Sequence, residues 1–394
     1  MTHRSSDDAR RNTLAAEPAA DRIPPRVRAR MSRPASAALM PLGDALGLLG
    51  AAAKPVAERL LPLGAARGRI SAGAVGALRP LPACLVAARD GYTVDAVAIG
   101  GASPYAPVPL SHGSAWIEAG DALPPGADAI LPPEGLEEYG AVVDVAPREG
   151  TRGPGDDLAA GERLLVAGER IGPLQILALA MAGLDSVAVR VPRLRLVVTG
   201  SATPDGLSPL LTALIEDRGG EAERVAVPDD EEAIACAIRA GEADAVLVLG
   251  GSGYGRTDRS AAGLARAGWL HVQGIALRPG ETAALGEAAG RPVLVLPGRP
   301  EAAFAAFLAL GTPLLARLGG TREAPGMPAT LLRKIASVIG LAEIVFVRRH
   351  PEGVEPLGGF ELPLRRLLQA DGFVLVAPER EGHPAGDQVE VRPL

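Results

Sequence analysis

Residues 194–258 read LRLVVTGSATPDGLSPLLTALIEDRGGEAERVAVPDDEEAIACAIRAGEADAVLVLGGSGYGRTD. Three continuous apolar runs, LRLVVTG, ERVAV and ADAVLVLGG, are separated by SPLLTALIEDRGG and DDEEAIACAIRAG, whose apolar residues recur at helical spacing. Uninterrupted apolar strands are buried on both faces, which is the condition of a parallel sheet covered by helices. RPVLVLPG and PEAAFAAFLALGTPLLARLGG, ending at Gly320, continue the alternation. Residues 191–322 therefore predict an open, mostly parallel α/β sheet with ligand loops at the carboxyl ends of its strands.

Downstream, residues 323–394 hold short strand-like segments such as EIVFVRR, GFVLVAP and VEVRPL between Gly and Pro turns, which predict a C-terminal β domain. Upstream, LGDALGLLGAAAKPVAERLLPL predicts two short helices broken near Pro55, and GPLQILALAMAGL predicts another. Residues 36–90 and 150–190 are thus expected to form a helical domain. Between them, residues 91–149 hold YTVDAVAI, AWIEAG, DAILP and AVVDVAP, an inserted small β domain. Residues 1–35, rich in Arg, Ser, Pro and Ala without an apolar period, predict a disordered tail. The expected class is α/β multidomain.

Composition narrows the chemistry. Aromatics make up 3% of 394 residues and the net charge is −6, so neither a base-stacking surface nor a broad phosphate-binding face is expected, and nucleic acid is not the partner. Cys84 and Cys236 form no CxxC or Cys/His cluster, and the five histidines show no ligand spacing. Any metal is expected to be oxygen-bound. No apolar run of transmembrane length and no signal-peptide pattern is present, so the cytoplasm is expected and no membrane. Lys54 and Lys334 are the only lysines, which leaves Schiff-base and P-loop chemistry almost without candidates.

Four loops follow the predicted strands: 197–206, 227–232, 249–258 and 296–301. In the third, Gly250, Gly251, Gly253 and Gly255 let backbone N–H groups approach phosphate oxygens, and Asp258 closes the loop. It matches neither a P-loop nor a Rossmann fingerprint. Asp229 and Asp230 open a helix, where a carboxylate serves as an N-cap or, pointing into the crevice, as a Mg²⁺ ligand. Arg89-Asp90-Gly91-Tyr92 and Gly155-Asp156-Asp157-Leu158 mark the two junctions of the β insert, where each aspartate also fits an ordinary turn.

Taken in order, these motifs resemble the molybdopterin molybdotransferase family, the bacterial MoeA proteins and the gephyrin E domain, from about Met40 to Leu394. The resemblance is carried by Asp90-Gly91-Tyr92, the 123–130 stretch LPPGADAI with Glu134, Gly155-Asp156-Asp157-Leu158 with Gly161, Val198-Thr199-Gly200 and Asp229-Asp230. Gly250 through Asp258, Arg278-Pro279-Gly280, Leu296-Pro297-Gly298 and Ala370-Asp371-Gly372 complete it. It implies a homodimer with sites shared between subunits, insertion of molybdate into adenylylated molybdopterin, and Mg²⁺-assisted release of AMP. A molybdoenzyme or another cofactor-biosynthesis protein would be the onward partner. Asp90, Asp157, Asp230 and Asp258 are then the expected catalytic residues, with Asp230 and Asp258 on the metal. Thr199, Gly200, Gly250, Gly251, Ser252, Gly253, Gly255, Arg278, Gly280, Pro297, Gly298 and Arg299 are expected to hold the pterin ligand.

The chain also departs from that pattern. Thr199-Gly200-Ser201-Ala202-Thr203 stands for Thr-Gly-Asp-Glu-Leu, and Gly206-Leu207-Ser208 for Asp-Ser/Thr-Asn. The family serine of the glycine loop is Gly253, the lysine of Pro-Gly-Lys-Pro is Glu281, and the asparagine of Pro-Gly-Asn-Pro is Arg299. A glutamate for a lysine reverses a charge beside polyphosphate. The alternative function is accordingly a non-catalytic carrier or chaperone that holds molybdopterin or the mature cofactor.

Overall fold

A computed structural model describes residues 39–200, 205–253, 258–322 and 325–394. The expected tail, Ser201–Thr203 of the Thr-Gly loop, and Gly255 lie outside the described residues. The centre of the molecule is a six-stranded sheet in the order Glu221–Val227, Arg193–Thr199, Ala245–Leu249, Arg291–Leu296, Ala284–Ala288, Trp269–Gln273. The first four strands are parallel. The last two add an antiparallel edge that the sequence did not announce, because Gly286 and Glu287 interrupt the apolar run of Ala284–Ala288. The chain is an α/β multidomain protein of mixed sheets. Val246, Leu247, Val248, Val293, Leu294 and Val295 have essentially no exposure, as strands covered on both faces require.

The helix Pro300–Gly319 spans 20 residues and is apolar enough to cross a membrane by length and composition, yet 78% of its apolar window is buried within the fold. A π turn, Phe307–Gly311, interrupts it just before Pro313, whose missing N–H cannot close an ordinary turn. A Cβ on Gly311 would lie 2.5 Å from the Phe307 ring, so glycine lets that buried ring fold against its own helix.

The amino-terminal expectation needs correcting. Leu42–Ala52 is one helix, but its buried face, Leu42, Ala45 and Leu49, joins the core of the α/β sheet and of Ile344 and Phe346. After Pro55 comes a strand before any helix: Glu58–Pro62 pairs antiparallel with Ser186–Arg190, which also pairs with Ile70–Ser71, and only then does the short helix Leu63–Ala66 follow. The ERLLP stretch reads as helical in isolation, and its partner lies more than a hundred residues away. The segment expected to be helical is therefore a small mixed unit, with the helix Pro173–Met181 packed beside a three-stranded sheet.

Two antiparallel junction strands, Val86–Ala87 and Thr151–Arg152, lead into and out of the β insert, whose sheet is Trp116–Ile117, Gly91–Val94, Ala129–Leu131. Asp128 ties this insert by accepting a hydrogen bond from the Ala96 N–H at 2.9 Å. At the carboxyl end, Ala342–His350 pairs with Gly353–Gly358 and Gly372–Val376, and also in parallel with Ile275–Arg278. The segment holding Arg278 thus leaves the central sheet and enters the C-terminal one.

The helix Leu207–Asp217 starts on a carboxylate. Asp205 accepts from the Ser208 N–H at 3.0 Å, from the Ser208 hydroxyl, and from Arg224 Nε at 3.0 Å. Burial pushes its pKa up, but these donors outweigh it and hold the carboxyl below its ordinary value. With a depressed folded-state pKa, its contribution is present above the unfolded value of about 3.9 and is lost as pH falls through the folded one. Asp205→Ala is expected to cost about 1 kcal/mol at neutral pH and less in acid, as pH falls below the ordinary carboxylate range. Urea titrations at neutral and acidic pH check this; an equal loss at both would contradict it.

Candidate active site

Parallel register brings Thr199, Val227, Leu249 and Leu296 to one edge of the sheet, so the four loops leave the strands side by side. Gly250 and Gly251 have φ of +92° and +58°, which reverse the chain immediately after Leu249. The neck of this turn is closed by hydrogen bonds. The Gly250 N–H donates to Leu296 O at 3.2 Å, Ser260 Oγ to Gly250 O at 2.6 Å, and the Ser260 N–H to Gly251 O at 3.0 Å. Gly298 lies over the turn, where a Cβ would come 3.7 Å from Gly250 Cα.

A cleft of about 300 Å³ opens here, walled by Gly251, Ser252, Gly253 and Asp258, by Gly280, Glu281 and Thr282, and by Pro297, Gly298, Arg299 and Ala302. A larger cleft of about 400 Å³ lies between Leu42–Ala52, the long helix and the C-terminal sheet, but none of the strand-end loops reaches it. The chemistry sits in the smaller one. Buried Ser252 bonds the Thr282 hydroxyl at 2.9 Å, and the Gln273 amide donates to Ser252 O and Gly253 O at 3.2 and 3.3 Å. These contacts fix the glycine turn to the antiparallel edge.

The absence of a side chain at Gly253 has a local reason. A Cβ there would lie 2.6 Å from Asp258 Oδ2, so the Asp258 carboxylate occupies the space that a serine would need. Facing Asp258 is Asp229. Burial raises its pKa and the charge of Asp258 raises it further, while Arg259 opposes both. Asp230 is used differently from the expectation: its Oδ1 accepts from the N–H groups of Glu232 and Ala233, both at 3.0 Å, and caps the helix Glu231–Arg239. Two successive aspartates alternate in direction, and the structure gives the cap to the second and the neighbour of Asp258 to the first.

Among the described residues no three Asp, Glu, His or Cys side chains converge as a metal cage. Asp229 and Asp258 nevertheless fit Mg²⁺, which takes one or two carboxylates and completes its shell with phosphate and water. The charge of Asp258, which adds to burial in lifting Asp229, is what a cation would relieve.

Other expected residues separate. Thr199 Oγ1 donates to Leu249 O at 3.1 Å, so its hydroxyl bridges two strands rather than facing the cleft. Gly200, with φ +79°, turns the chain behind it. Glu281 lines the cleft and accepts from the Gly280 N–H at 3.1 Å. Arg299 lines it as well, with Glu301 Oε1 3.5 Å from its Nε. Arg278 stacks on Phe360, at 4.4 Å from the ring centroid. Asp90 accepts from the Ala119 N–H at 2.8 Å and Asp157 from Arg152 at 2.9 Å; neither lines this cleft. The antiparallel junction also parts them, since Leu158 bridges Leu81, nine positions before Asp90.

Comparison with known proteins shows the family of the chain. Residues 40–183 match the model "MoeA N-terminal region (domain I and II)", and residues 195–317 match "Probable molybdopterin binding domain". A protein of Mycobacterium tuberculosis named molybdopterin molybdenumtransferase 2 is 31% identical over 300 residues, 65% of this chain and 72% of that one. The chain belongs to the MoeA family. A molybdopterin molybdenumtransferase of Haemophilus influenzae is 25% identical over 72% of this chain and 78% of its own length. The crystal structure of a MoeA protein from Pyrococcus horikoshii superposes with a TM-score of 0.72 at 27% identity, covering 90% of this chain and 99% of that one. The chain thus has a role in molybdenum cofactor biosynthesis, and the residues that line the cleft fall within the 195–317 match.

Proposed function

We propose that this MoeA-family chain inserts molybdate into adenylylated molybdopterin and releases AMP, as a homodimer in the cytoplasm, with Mg²⁺ as cofactor. One observation carries the reading: Asp258, whose charge acts on the neighbouring Asp229, and the guanidinium-bearing Arg299 line one cleft built from glycine turns. Phosphate oxygens suit the Arg299 wall, and the divalent ion suits the carboxylates. Mg²⁺ held by Asp229 and Asp258 would neutralise charge as the pyrophosphate link breaks. The chain's own residues hold and orient: the Gly250–Gly251 turn lets the ligand approach the backbone, and the Ser252–Thr282 bond keeps that turn in place. The test is the incubation of purified protein with adenylylated molybdopterin, Mg²⁺ and molybdate, followed by assay of AMP.

The carrier reading is favoured by a different feature, the Glu281 carboxylate that covers the Gly280 N–H and adds negative charge beside the ligand. A pterin that co-purifies, seen by fluorescence after oxidation, together with no AMP release, would select it.

The homodimer is supported by the helix Pro173–Met181. Leu174, Leu177 and Met181, at 76%, 57% and 55% exposure, form an apolar stripe at helical spacing. In a dimer, Asp90 and Asp157, which line nothing in their own cleft, would serve the partner's. Leu177→Asp is expected to convert the dimer to a monomer at micromolar concentration. Light scattering checks it, and a variant that stays dimeric would remove this helix from the interface.

A further inference from the structure

We propose that Arg259 is the resident counter-cation of the Asp229–Asp258 pair, held beside it by Glu231, and that it sets how tightly the pair takes a divalent ion; this rests on the Mg²⁺ reading above. Arg259 directly follows Asp258, and Glu231 stands two residues after Asp229. The fold brings the two segments together at Gly251, where an added Cβ would lie 3.5 Å from Asp229 Oδ1 and 3.4 Å from the backbone N of Arg259. From there the Arg259 side chain reaches the start of the helix Glu231–Arg239, and its Nη1 donates to Glu231 Oε1 at 3.0 Å. Its positive charge acts on Asp229 against the charge of Asp258.

The surrounding charges leave Glu231 to this task. Arg266 Nη1 is 4.0 Å from Glu231, while its close contacts, 2.8 and 3.1 Å, go to Glu232, which Arg239 also holds at 3.1 Å. Two neighbouring carboxylates repel, and a fixed cation offsets part of that repulsion. It also competes with an entering ion, because Mg²⁺ needs the same carboxylate oxygens. The Arg259 and Glu231 side chains are 49% and 31% exposed, so their ion pair is a weak one and the guanidinium has room to withdraw. Glu231 decides where it rests. With Glu231 in place the guanidinium is drawn to the helix start; without it, the two aspartates are left to attract it. Arg259 is thus a positioning residue for the metal and not a ligand.

The test is calorimetric titration of the full chain with Mg²⁺ alone, at fixed ionic strength. Arg259→Gln is expected to tighten binding by roughly tenfold, Arg259→Lys to stay near wild type, and Glu231→Gln to weaken binding by about threefold, all with unchanged unfolding temperature. A general field effect of the two charges would give additive changes, so the double variant decides. It should match Arg259→Gln alone, since Glu231 acts only through the guanidinium. Arg266→Gln removes an equal charge from Glu232 and should leave Mg²⁺ affinity as it is. Wild-type affinity in Arg259→Gln, equal tightening in Arg266→Gln, or additive changes in the double variant would each overturn the proposal while leaving the metal site in place. Asp229→Asn reports on that site separately. Mg²⁺ affinity indifferent to Asp229→Asn, or Mg²⁺ bound by no variant, removes the metal reading and this inference with it.

Discussion

Gly251→Val is expected to reduce affinity for adenylylated molybdopterin by a hundredfold or more. The position has φ +58°, where a β-branched side chain is strained by about 1–3 kcal/mol. Strain alone would not empty the cleft. The added atoms do, because a Cβ would sit 2.8 Å from Ser260 Oγ and 3.5 Å from Asp229 Oδ1. Ser260 holds the Gly250 carbonyl, and Asp229 is half of the carboxylate pair, so the substitution displaces the wall on which ligand and cation both depend. Gly290→Ala is the control: Gly290 has φ +73° with nothing within 4 Å of an added Cβ, so it should lose stability and keep affinity. Calorimetric titration and thermal unfolding of both variants separate the effects. Unchanged affinity in Gly251→Val would take the glycine turn out of the site.

Glu281→Lys is expected to raise single-turnover AMP release by on the order of a hundredfold. The glutamate has two effects in the cleft: it withdraws the Gly280 N–H by accepting its hydrogen bond, and it opposes negative charge that grows as the pyrophosphate link breaks. Lysine reverses both. A cation facing charge that develops in the transition state is typically worth a few kcal/mol. Arg299 sets the condition. If its guanidinium already supplies that charge, Arg299→Asn should be the damaging change and Glu281→Lys nearly neutral. AMP release in the two single variants and the double variant decides, since compensation requires coupling between the sites. Both substitutions silent, with rapid wild-type turnover, would show that these departures carry no loss of function.

The central sheet was legible because its evidence is local: Ala245–Leu249 and Arg291–Leu296 are apolar runs followed by turns, whereas Glu221–Val227, expected to be buried on both faces, is a charged and partly exposed edge strand. The edge strands Trp269–Gln273 and Ala284–Ala288 were not, since polar and glycine residues hide a pairing that exists only through the adjacent strand Arg291–Leu296. Glu58–Pro62 failed for the same reason, with a partner at Ser186–Arg190. In the site, the loop positions followed from strand order, but side-chain direction did not. Asp229 and Asp230 are adjacent in sequence and chemically alike, and only the helix cap at Asp230 separates their roles. Asp205 could have been found, because an aspartate three residues before Ser208 at a helix start is a capping pattern.

The pH behaviour of the carboxylate pair follows from the same geometry. Asp229 is lifted by burial and by Asp258, so its charged form is favoured only above its raised pKa, and stability linked to its protonated form is lost as pH rises through that value. A bound divalent cation reverses this, so Mg²⁺ should stabilise the protein more at neutral than at acidic pH. Thermal shift with and without Mg²⁺ reads that difference, and Asp229→Asn should diminish it while Asp230→Asn leaves it intact.

The most direct measurement is single-turnover release of AMP from adenylylated molybdopterin by the purified chain, with Mg²⁺, in the presence and absence of molybdate. AMP release in a molybdate-dependent reaction is expected, with Asp229→Asn and Asp258→Asn both strongly impaired. Tight binding of the adenylylated pterin with no AMP released under any of these conditions would contradict it.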